Sequence, residues 1–346
     1  MKKNKLTILF VALALLVNAS CKEEKHVPPT WGEDKEEQNK EPNAAVVKSG
    51  WKNVEDSYGE LPNYIDVYKS PESLVDKKAV AYIAIADMDK AKWDVLGDIV
   101  FDAQANGYGS KTVNTLTQFY SKNKMPIIIN GGLFYYGNSF FYSQNLVYKN
   151  NTMLASNQNY FSKDWVKIWY PTIGAFGQQA DNSFKVTWTY YNNNDKVNYS
   201  YVNPADNNET KAPLAIPNAT FPSTGTVYSP KTAIGGIIVL LKDGIVRNTT
   251  AQEMLDVSAT SNQPRTAIGV TKDNKLVLFV CEGRNVTAGV AGYTTADVAN
   301  IMKNLGCVDA LNLDGGGSSG MLVNGKETIK PSGGTQRAVL TAVGLQ

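Results

Sequence analysis

Short apolar runs separated by turn residues are the most regular feature of the chain from residue 79 onward. Most of these runs are followed directly by glycine, asparagine or aspartate. Apolar runs of this length between turn residues predict buried β-strands. The clearest of them are 79–86, 126–129, 232–243, 275–281, 308–313 and 339–343.

Two other segments repeat apolar residues every three or four positions, which is the period of an amphipathic helix. One is 112–123. The other begins at the cap residues Thr294 and Thr295 and stops at Gly306. Its apolar stripe consists of Val298, Ile301, Met302 and Leu305.

The second helix lies between the predicted strands 275–281 and 308–313. This order predicts a βαβ unit with a right-handed crossover. If its two strands are parallel, the residues that follow them meet at one edge of the sheet, where open α/β sheets bind their ligands. Glu282 and Asp314 are the first carboxylates after these strands.

The middle of the chain, 138–230, is rich in asparagine and tyrosine and low in charge. Segments 164–169, 184–190 and 197–202 alternate like antiparallel strands. Their aromatic residues could stack on sugars, but packing within a β-rich region is the favoured interpretation. The whole pattern predicts an α+β fold, with a mixed β-sheet and flanking helices in a single domain with a β-rich insertion.

The N-terminus has the pattern of a bacterial export signal. Three lysines precede an apolar run in 1–20, which predicts a secretory signal peptide. Small residues precede Cys21 as in a lipobox, so we expect lipidation of Cys21, with ordinary signal cleavage as the alternative. Residues 21–43 read as a disordered tether and 44–346 as the folded domain. The expected location is exported: a membrane-anchored lipoprotein, periplasmic or at the cell surface.

Composition excludes several classes of function. The 346 residues carry a net charge of +2, and no basic run occurs beyond the N-terminus, which argues against a nucleic-acid partner. The only histidine, His26, falls in the predicted tether, so a Ser-His-Asp triad or a histidine base inside the domain is excluded. Cys281 and Cys307 could pair, although two buried free thiols are the slightly favoured interpretation.

The richest candidate site follows the strand 308–313. A carboxylate, Asp314, is succeeded by three glycines and two serines, so backbone N–H groups are open to an anion. The segment formally matches the G-x-G-x-x-G fingerprint, but a strand and turn follow where a nucleotide site needs a helix, so we reject that interpretation. The structural alternative for Asp314 is a carboxylate that caps the glycine turn.

Other strand ends carry related chemistry. Asn130 precedes two glycines, where its amide could orient a ligand. Arginines, which bind phosphate with paired donors, occur beside three more predicted strands. These arginines are Arg265, Arg284 and Arg337.

Four segments, 130–134, 265–269, 282–284 and 312–319, occur in an order that resembles the phosphodiester glycosidase family. The resemblance covers roughly residues 75–346, with a poorly matched middle. It implies hydrolysis of a sugar-1-phosphodiester at the anomeric carbon, as of an N-acetylglucosamine-1-phosphodiester on a cell-envelope or extracellular glycan. Two departures are conservative: Glu282 stands where the family often has Asp, and Leu133 displaces the usual Phe.

The resulting site hypothesis has Asp314 as nucleophile or base, because glycoside hydrolysis requires a carboxylate and a phosphomonoester leaves without much help from an acid. Glu282 and Arg265 complete the predicted catalytic set. The predicted substrate-binding residues are Asn130, Gly131, Gly132, Thr266, Arg284, Gly315, Gly316, Gly317, Ser318 and Arg337.

No cofactor is expected, and nothing in the spacing demands a metal ion, although Asp314, Glu282 and Asn130 could hold a divalent cation. The partner is then a sugar-phosphodiester or glycan, with the membrane contacted only through the lipid anchor. Two rival functions stay open. One is a non-catalytic glycan-binding surface lipoprotein, and the other is a hydrolase that cuts the P–O bond, usually with metals.

Overall fold

The computed structural model describes residues 43–103, 107–247, 249–255 and 257–346. The predicted signal peptide and Cys21 lie outside the described residues, as does the predicted tether except for its last residue. That residue, Asn43, caps the first helix by accepting a hydrogen bond from Val46 N. Export, lipidation and the domain limits therefore stay predictions.

The described residues form many short strands and few helices. The helices are α1 (Ala44–Lys48), α2 (Leu116–Asn123), α3 (Thr250–Glu253) and α4 (Thr295–Asn304). The strands are β1 (Lys52–Asn53), β2 (Ile65–Lys69), β3 (Ser73–Leu74), β4 (Lys77–Lys78), β5 (Ala81–Asp87), β6 (Trp93–Leu96), β7 (Val100–Asp102), β8 (Gly107–Ser110), β9 (Ile127–Asn130), β10 (Phe134–Gly137), β11 (Phe140–Ser143), β12 (Val147–Lys149), β13 (Thr152–Ala155), β14 (Ile173–Gln178), β15 (Phe184–Asn192), β16 (Val197–Tyr201), β17 (Thr226–Val227), β18 (Thr232–Gly235), β19 (Val239–Lys242), β20 (Ile245–Val246), β21 (Arg265–Thr271), β22 (Lys275–Cys281), β23 (Cys307–Asn312), β24 (Met321–Val323), β25 (Lys326–Glu327) and β26 (Ala342–Leu345).

The prediction of an α+β fold with a mixed sheet and flanking helices is wrong. The molecule is mostly β-sheet, and each neighbouring pair of its described strands is antiparallel. The sequence contains two amphipathic helix patterns, whereas glycine, asparagine and proline interrupt the remaining apolar runs and favour short strands joined by turns. The longest described helix, α4, has only ten residues.

An eight-stranded sheet carries the predicted βαβ segment, in the order β1-β2-β5-β22-β21-β23-β19-β20. Strands β22 and β23 are parallel to each other, which is the condition for Glu282 and Asp314 to share an edge, but the antiparallel β21 lies between them. Along β22, alternate residues enter two apolar clusters on opposite faces of the sheet, and one of these clusters includes the apolar stripe of α4. This sheet is therefore buried on both sides.

Two smaller sheets complete the core. A five-stranded sheet has the order β25-β24-β9-β26-β6, and a seven-stranded sheet has the order β13-β12-β18-β14-β15-β16-β17. Buried carboxylates connect the seven-stranded sheet to the eight-stranded one. Glu253 accepts hydrogen bonds from Trp188 Nε1, Gly174 N and Val239 N. Asp309 accepts from Val186 N and Asp243 N.

Two predicted strand segments differ from the structure, whereas the favoured state of the two cysteines is found. Segment 232–243 is two strands in different sheets, because the backbone turns at Ile238 with a φ of 70°. Segment 164–169 is the irregular tip of a hairpin closed by the pair Phe161 and Trp169. The interpretation of Cys281 and Cys307 as buried free thiols is confirmed. Their positions, at the end of one strand and the start of another parallel to it, put them at opposite edges of the sheet.

Within the described ranges, no helix combines the length and the apolar character needed to cross a bilayer.

Candidate active site

Three strands of the eight-stranded sheet bring the predicted catalytic residues to one edge. Arg265 at the start of β21 pairs with Cys281 at the end of β22, and Ala267 pairs with Asn312 at the end of β23. Glu282 and Asp314, which follow β22 and β23, therefore lie at this edge with Arg265. Glu282 and Asp314 share this edge because β22 and β23 are parallel and both end there.

Asn130 enters the site from the five-stranded sheet and holds both ends of the loop that follows β23. Its Nδ2 donates to the carbonyl oxygen of Asp314 at 2.7 Å, and its Oδ1 accepts from Gly320 N at 3.2 Å. The Thr266 hydroxyl donates to the same Oδ1 at 2.7 Å. Asn130 is fully buried, and these bonds occupy its amide within the protein.

Gly131 and Gly132 are needed because the backbone of β26 and its neighbours approaches them closely. Gly131 N donates to the carbonyl oxygen of Thr341, and Gly132 N donates to its hydroxyl. A Cβ on Gly131 would lie 2.3 Å from Thr341 Oγ1, and one on Gly132 would lie 2.8 Å from Cβ of Asn145. The two glycines therefore allow the chain after β9 to pass close to Thr341 and Asn145.

The loop 314–320, which we call the glycine loop, uses most of its backbone donors internally. Six of its seven N–H groups donate within the protein, including Gly315 N to Asp314 Oδ1 at 2.8 Å and Gly316 N to the carbonyl of Pro264 at 2.8 Å. The N–H of Gly317 makes no hydrogen bond to any described residue. The glycine loop thus offers an anion one free backbone donor.

Two guanidinium groups pack directly against the glycines. A Cβ on Gly316 would lie 2.8 Å from Nη2 of Arg284, and one on Gly317 would lie 2.6 Å from Nη2 of Arg337. Gly316 also has a φ of +61°, in the left-handed region that favours glycine. Nε of Arg284 donates to Gln263 Oε1 at 2.8 Å, which fixes this arginine beside the loop.

The side chain of Asp314 has a strongly altered acidity. Burial raises its pKa to about 6, because the charged form loses hydration. The Ser318 hydroxyl, the Gly315 N–H and the positive charge of Arg337 oppose this increase. A carboxyl group with this pKa is a base near neutral pH, which is the range in which proton transfer to a carboxylate is useful in catalysis.

Asp314 lines a small cleft of about 180 Å³ together with Arg284, Arg265, Gln263 and Asn312. Among the described residues that line it, Asp314 is the only carboxylate. The Oδ1 atom of Asn312 is buried and has no hydrogen-bond partner within the described structure. Sequence reasoning missed Asn312, although its position two residues before Asp314 on a strand puts both side chains on one face.

Arg265, predicted as catalytic, is 2% exposed and bound to backbone carbonyl groups. Its Nε donates to Tyr293 O at 2.9 Å, and its terminal nitrogens donate to the carbonyls of Val257, Ser258 and Ser261. Burial lowers the pKa of the guanidinium group. The geometry makes Arg265 a clamp for the segment that forms one wall of the cleft.

Glu282 lies at the same sheet edge as Asp314 but is separated from it by β21. Two strand spacings, roughly 10 Å, therefore separate their backbones. Glu282 Oε1 accepts from Lys330 N at 3.0 Å, while its Oε2 is buried without a partner within the described residues. Glu282 does not line the cleft that contains Asp314.

The part of the chain that the structure describes contains no group of three or more histidine, cysteine, aspartate or glutamate side chains that could hold a metal ion.

Comparison with known proteins identifies a family. The sequence profile of a family described as phosphodiester glycosidase matches residues 123–346. The chain is 38% identical over 103 residues to the SPbeta prophage-derived uncharacterized protein YomE of Bacillus subtilis, covering 30% of this chain and 15% of that protein. It is 27% identical over 109 residues to mouse N-acetylglucosamine-1-phosphodiester alpha-N-acetylglucosaminidase, covering 29% of this chain and 20% of that protein. Each match thus spans a minor part of the relative.

Two solved structures share the fold. The zebrafish N-acetylglucosamine-1-phosphodiester alpha-N-acetylglucosaminidase catalytic domain, auto-inhibited by its pro-peptide, superimposes with a TM-score of 0.54 and 16% identity, covering 86% of this chain and 88% of that chain. A hypothetical protein from Synechocystis superimposes with a TM-score of 0.54 and 14% identity, covering 85% of this chain and 63% of that one.

Proposed function

Because the chain belongs to the phosphodiester glycosidase family, we propose that it hydrolyses the bond between the anomeric carbon of a sugar and the oxygen of a phosphodiester. The observation that supports this proposal best is the glycine loop, which combines a carboxylate of raised pKa with two guanidinium groups packed on its glycines. An N-acetylglucosamine-1-phosphodiester, on a cell-envelope or extracellular glycan, is the substrate we propose.

In the proposed reaction Asp314 is the catalytic carboxylate. Acting as a base, it takes a proton from water while the water oxygen forms a bond to the anomeric carbon. The bond from that carbon to the bridging oxygen breaks, and its electron pair stays on the phosphate. The products are the free sugar and a phosphomonoester, and the proton on Asp314 is returned to solvent. One carboxylate suffices because a phosphomonoester is a good leaving group without protonation.

The arginines have a specific role in this scheme. The phosphate carries one negative charge in the diester and a second develops as the bond to the sugar breaks. Arg284 and Arg337 pack against the glycine loop, and in this proposal they stabilise that second charge together with the N–H of Gly317, which has no partner among the described residues. Interactions that strengthen as charge develops accelerate the reaction rather than only tighten substrate binding.

Asn130 and Arg265 act on the site indirectly in this proposal. Asn130 fixes the ends of the glycine loop, and Arg265 fixes the cleft wall through four carbonyl groups. Both are therefore positioning residues, since their donors are used within the protein. For Glu282 we propose the same class of role, through the N–H of Lys330.

The experiment that tests the function is hydrolysis of a methyl ester of α-N-acetylglucosamine-1-phosphate in water enriched in oxygen-18. Cleavage at the anomeric carbon places the label in the sugar, whereas cleavage of the P–O bond places it in the phosphate. Mass spectrometry of both products distinguishes the two reactions. Asp314→Asn, with folding verified by circular dichroism, is the matched inactive variant.

Three outcomes are informative. Label in the sugar together with loss of turnover in Asp314→Asn supports the proposed reaction and its carboxylate. Label in the phosphate favours a P–O hydrolase. The folded protein could also fail to turn over this diester and its glucose and mannose counterparts. That result would favour a non-catalytic glycan-binding lipoprotein.

We also propose that the protein is exported and anchored to a bacterial membrane through acyl chains on Cys21, in the periplasm or at the cell surface. The lipobox-like sequence before Cys21 supports this location. Mass spectrometry of the mature N-terminal peptide from the membrane fraction would detect the acylated cysteine. Release of the Cys21→Ser variant into the soluble fraction is the expected companion result.

A further inference from the structure

Trp165 is held in an unusual way outside the catalytic cleft. Its side chain is 74% exposed, and its backbone φ is +59°. A bulky residue in the left-handed region costs conformational energy, so such a backbone persists only where the surroundings impose it. Burial of a large side chain in a core usually compensates for such a cost. The indole of Trp165 is exposed and gains no such compensation.

The hairpin that carries Trp165 is fixed by its own hydrogen bonds. Phe161 and Trp169 close its base through two backbone bonds of 2.8 and 2.9 Å. Ser162 Oγ accepts from Trp165 N at 2.8 Å and donates to the carbonyl of Lys167 at 2.7 Å. Asp164 Oδ1 accepts from the backbone N–H groups of Val166 and Lys167. The indole is therefore presented on a preorganised support.

Trp165 stands in the wall of a cleft of about 900 Å³, which we call the aromatic cleft. The rings of Tyr160 and Trp165 lie 6.1 Å apart, and Tyr135, which is 51% exposed, lines the same cleft. Amide side chains, including Gln144 and Asn159, also line the cleft. Among the described lining residues only Lys196 is charged.

Chain segments that line the aromatic cleft adjoin segments that line the catalytic cleft. Met254 and Leu255 line the aromatic cleft, while Val257 and Ser258, two and three residues further along, line the catalytic cleft. In addition, the backbone N–H of Gln144, which lines the aromatic cleft, donates to the carbonyl of Leu133, which lines the catalytic cleft, at 3.0 Å. The two clefts are thus neighbours.

We propose that the aromatic cleft binds the uncharged oligosaccharide part of the glycan phosphodiester, as a site separate from the one that holds the reacting sugar and phosphate. The proposal rests on the function proposed above. Exposed rings pack against the C–H faces of sugars, and amides bond to their hydroxyl groups. Nearly uncharged walls disfavour a polyphosphate or a nucleic acid, which require cationic partners.

Binding without turnover tests the cleft separately from the reaction. Isothermal titration calorimetry would use Asp314→Asn with four neutral hexasaccharides, built of glucose, mannose, galactose and N-acetylglucosamine. We expect at least one to bind, and Trp165→Ala in the same background to weaken it by about tenfold, the size of one lost stacking contact of about 1.4 kcal/mol. Trp165→Phe should recover most of the affinity.

Val166→Ala is the control, because Val166 is 83% exposed beside Trp165 and does not line the aromatic cleft. It should bind the hexasaccharide like the Asp314→Asn parent. Absence of binding by all four hexasaccharides, or equal binding by Trp165→Ala, overturns the proposal even if the protein hydrolyses small diesters.

Kinetics gives the second measurement. The N-acetylglucosamine-1-phosphodiester of the bound hexasaccharide is compared with the corresponding methyl diester. We consider the kcat/KM of the hexasaccharide diester divided by that of the methyl diester. Trp165→Ala should lower this ratio by about tenfold, and Val166→Ala should leave it unchanged. An unchanged ratio in Trp165→Ala would show that the bound sugar is not part of the substrate.

Discussion

The guanidinium group of Arg337 lies directly against the α carbon of Gly317, whose N–H is the one donor of the glycine loop without a partner among the described residues. An added Cβ would lie 2.6 Å from Nη2 and 2.7 Å from Cζ of this arginine. The absence of a side chain at Gly317 thus leaves room for the guanidinium group at this position.

We therefore predict that Gly317→Ala displaces Arg337 and lowers kcat/KM by about 10- to 100-fold, the effect of losing one stabilising group in the transition state. Gly333→Ala is the matched control, since nothing lies within 4 Å of its added Cβ. Steady-state kinetics and circular dichroism of both variants provide the measurement. Full activity of a folded Gly317→Ala would separate Arg337 from the reaction.

Asp314→Asn should stabilise the protein in a pH-dependent way. The folded pKa of about 6 lies above the value near 3.9 of an unfolded aspartate. Stability from this group is therefore present while the carboxyl is protonated and is lost as pH rises from about 4 through 6. An amide avoids that loss, so the free energy of unfolding of the variant should exceed that of the parent by about 3 kcal/mol at pH 8 and match it at pH 4.

Urea unfolding at pH 4, 6 and 8 measures this difference. A stability difference that does not change with pH would contradict the raised pKa of Asp314, even if the variant were inactive.

Asn130→Ala should weaken the fold and the activity together. It leaves the carbonyl of Asp314 and the N–H of Gly320 without their partner, which we expect to cost about 3 kcal/mol. Thr266→Val removes one donor to Asn130 but leaves the amide in place, so its cost should be about 1 kcal/mol. Denaturant midpoints and kcat of the two variants test this order, and equal losses would contradict it.

Arg265→Lys should loosen the segment 257–261, whose carbonyl groups Arg265 binds at one wall of the cleft. A lysine retains the charge but cannot reach four carbonyl groups with its single nitrogen, so we expect a stability loss of about 2 kcal/mol. Hydrogen exchange of the amides in 257–261 should accelerate relative to the parent. If exchange there stays slow while KM for the diester rises, Arg265 contacts the substrate phosphate instead.

Glu282→Gln distinguishes a positioning residue from a catalytic carboxylate. Glutamine can still accept the hydrogen bond from Lys330 N, so kcat should fall by less than about fivefold. Loss of a catalytic acid or base would cost about 100-fold or more. A pH–rate profile of the variant provides the control, because the acid limb that belongs to Asp314 should persist near pH 6.

Much of the local structure could be predicted from the sequence. Strand 275–281 and the helix capped by Thr294 have the expected positions, with the capping box of Thr294 and Asp297 formed. The predicted strand after the glycine loop is also confirmed, as β24. The family resemblance drawn from four short motifs is confirmed by the match over 123–346. These features depend on residues close in sequence, which is why one sequence suffices.

Tertiary structure decided the rest, because distant contacts determine which partner each group has. The sequence placed a carboxylate, an amide and arginines at strand ends, but only the fold decides that Asn130 and Arg265 use their hydrogen bonds inside the protein. Only the fold places an antiparallel strand between Glu282 and Asp314. The burial that raises the pKa of Asp314 depends on contacts between residues distant in sequence. The packing of two arginines against Gly316 and Gly317 depends on the fold in the same way.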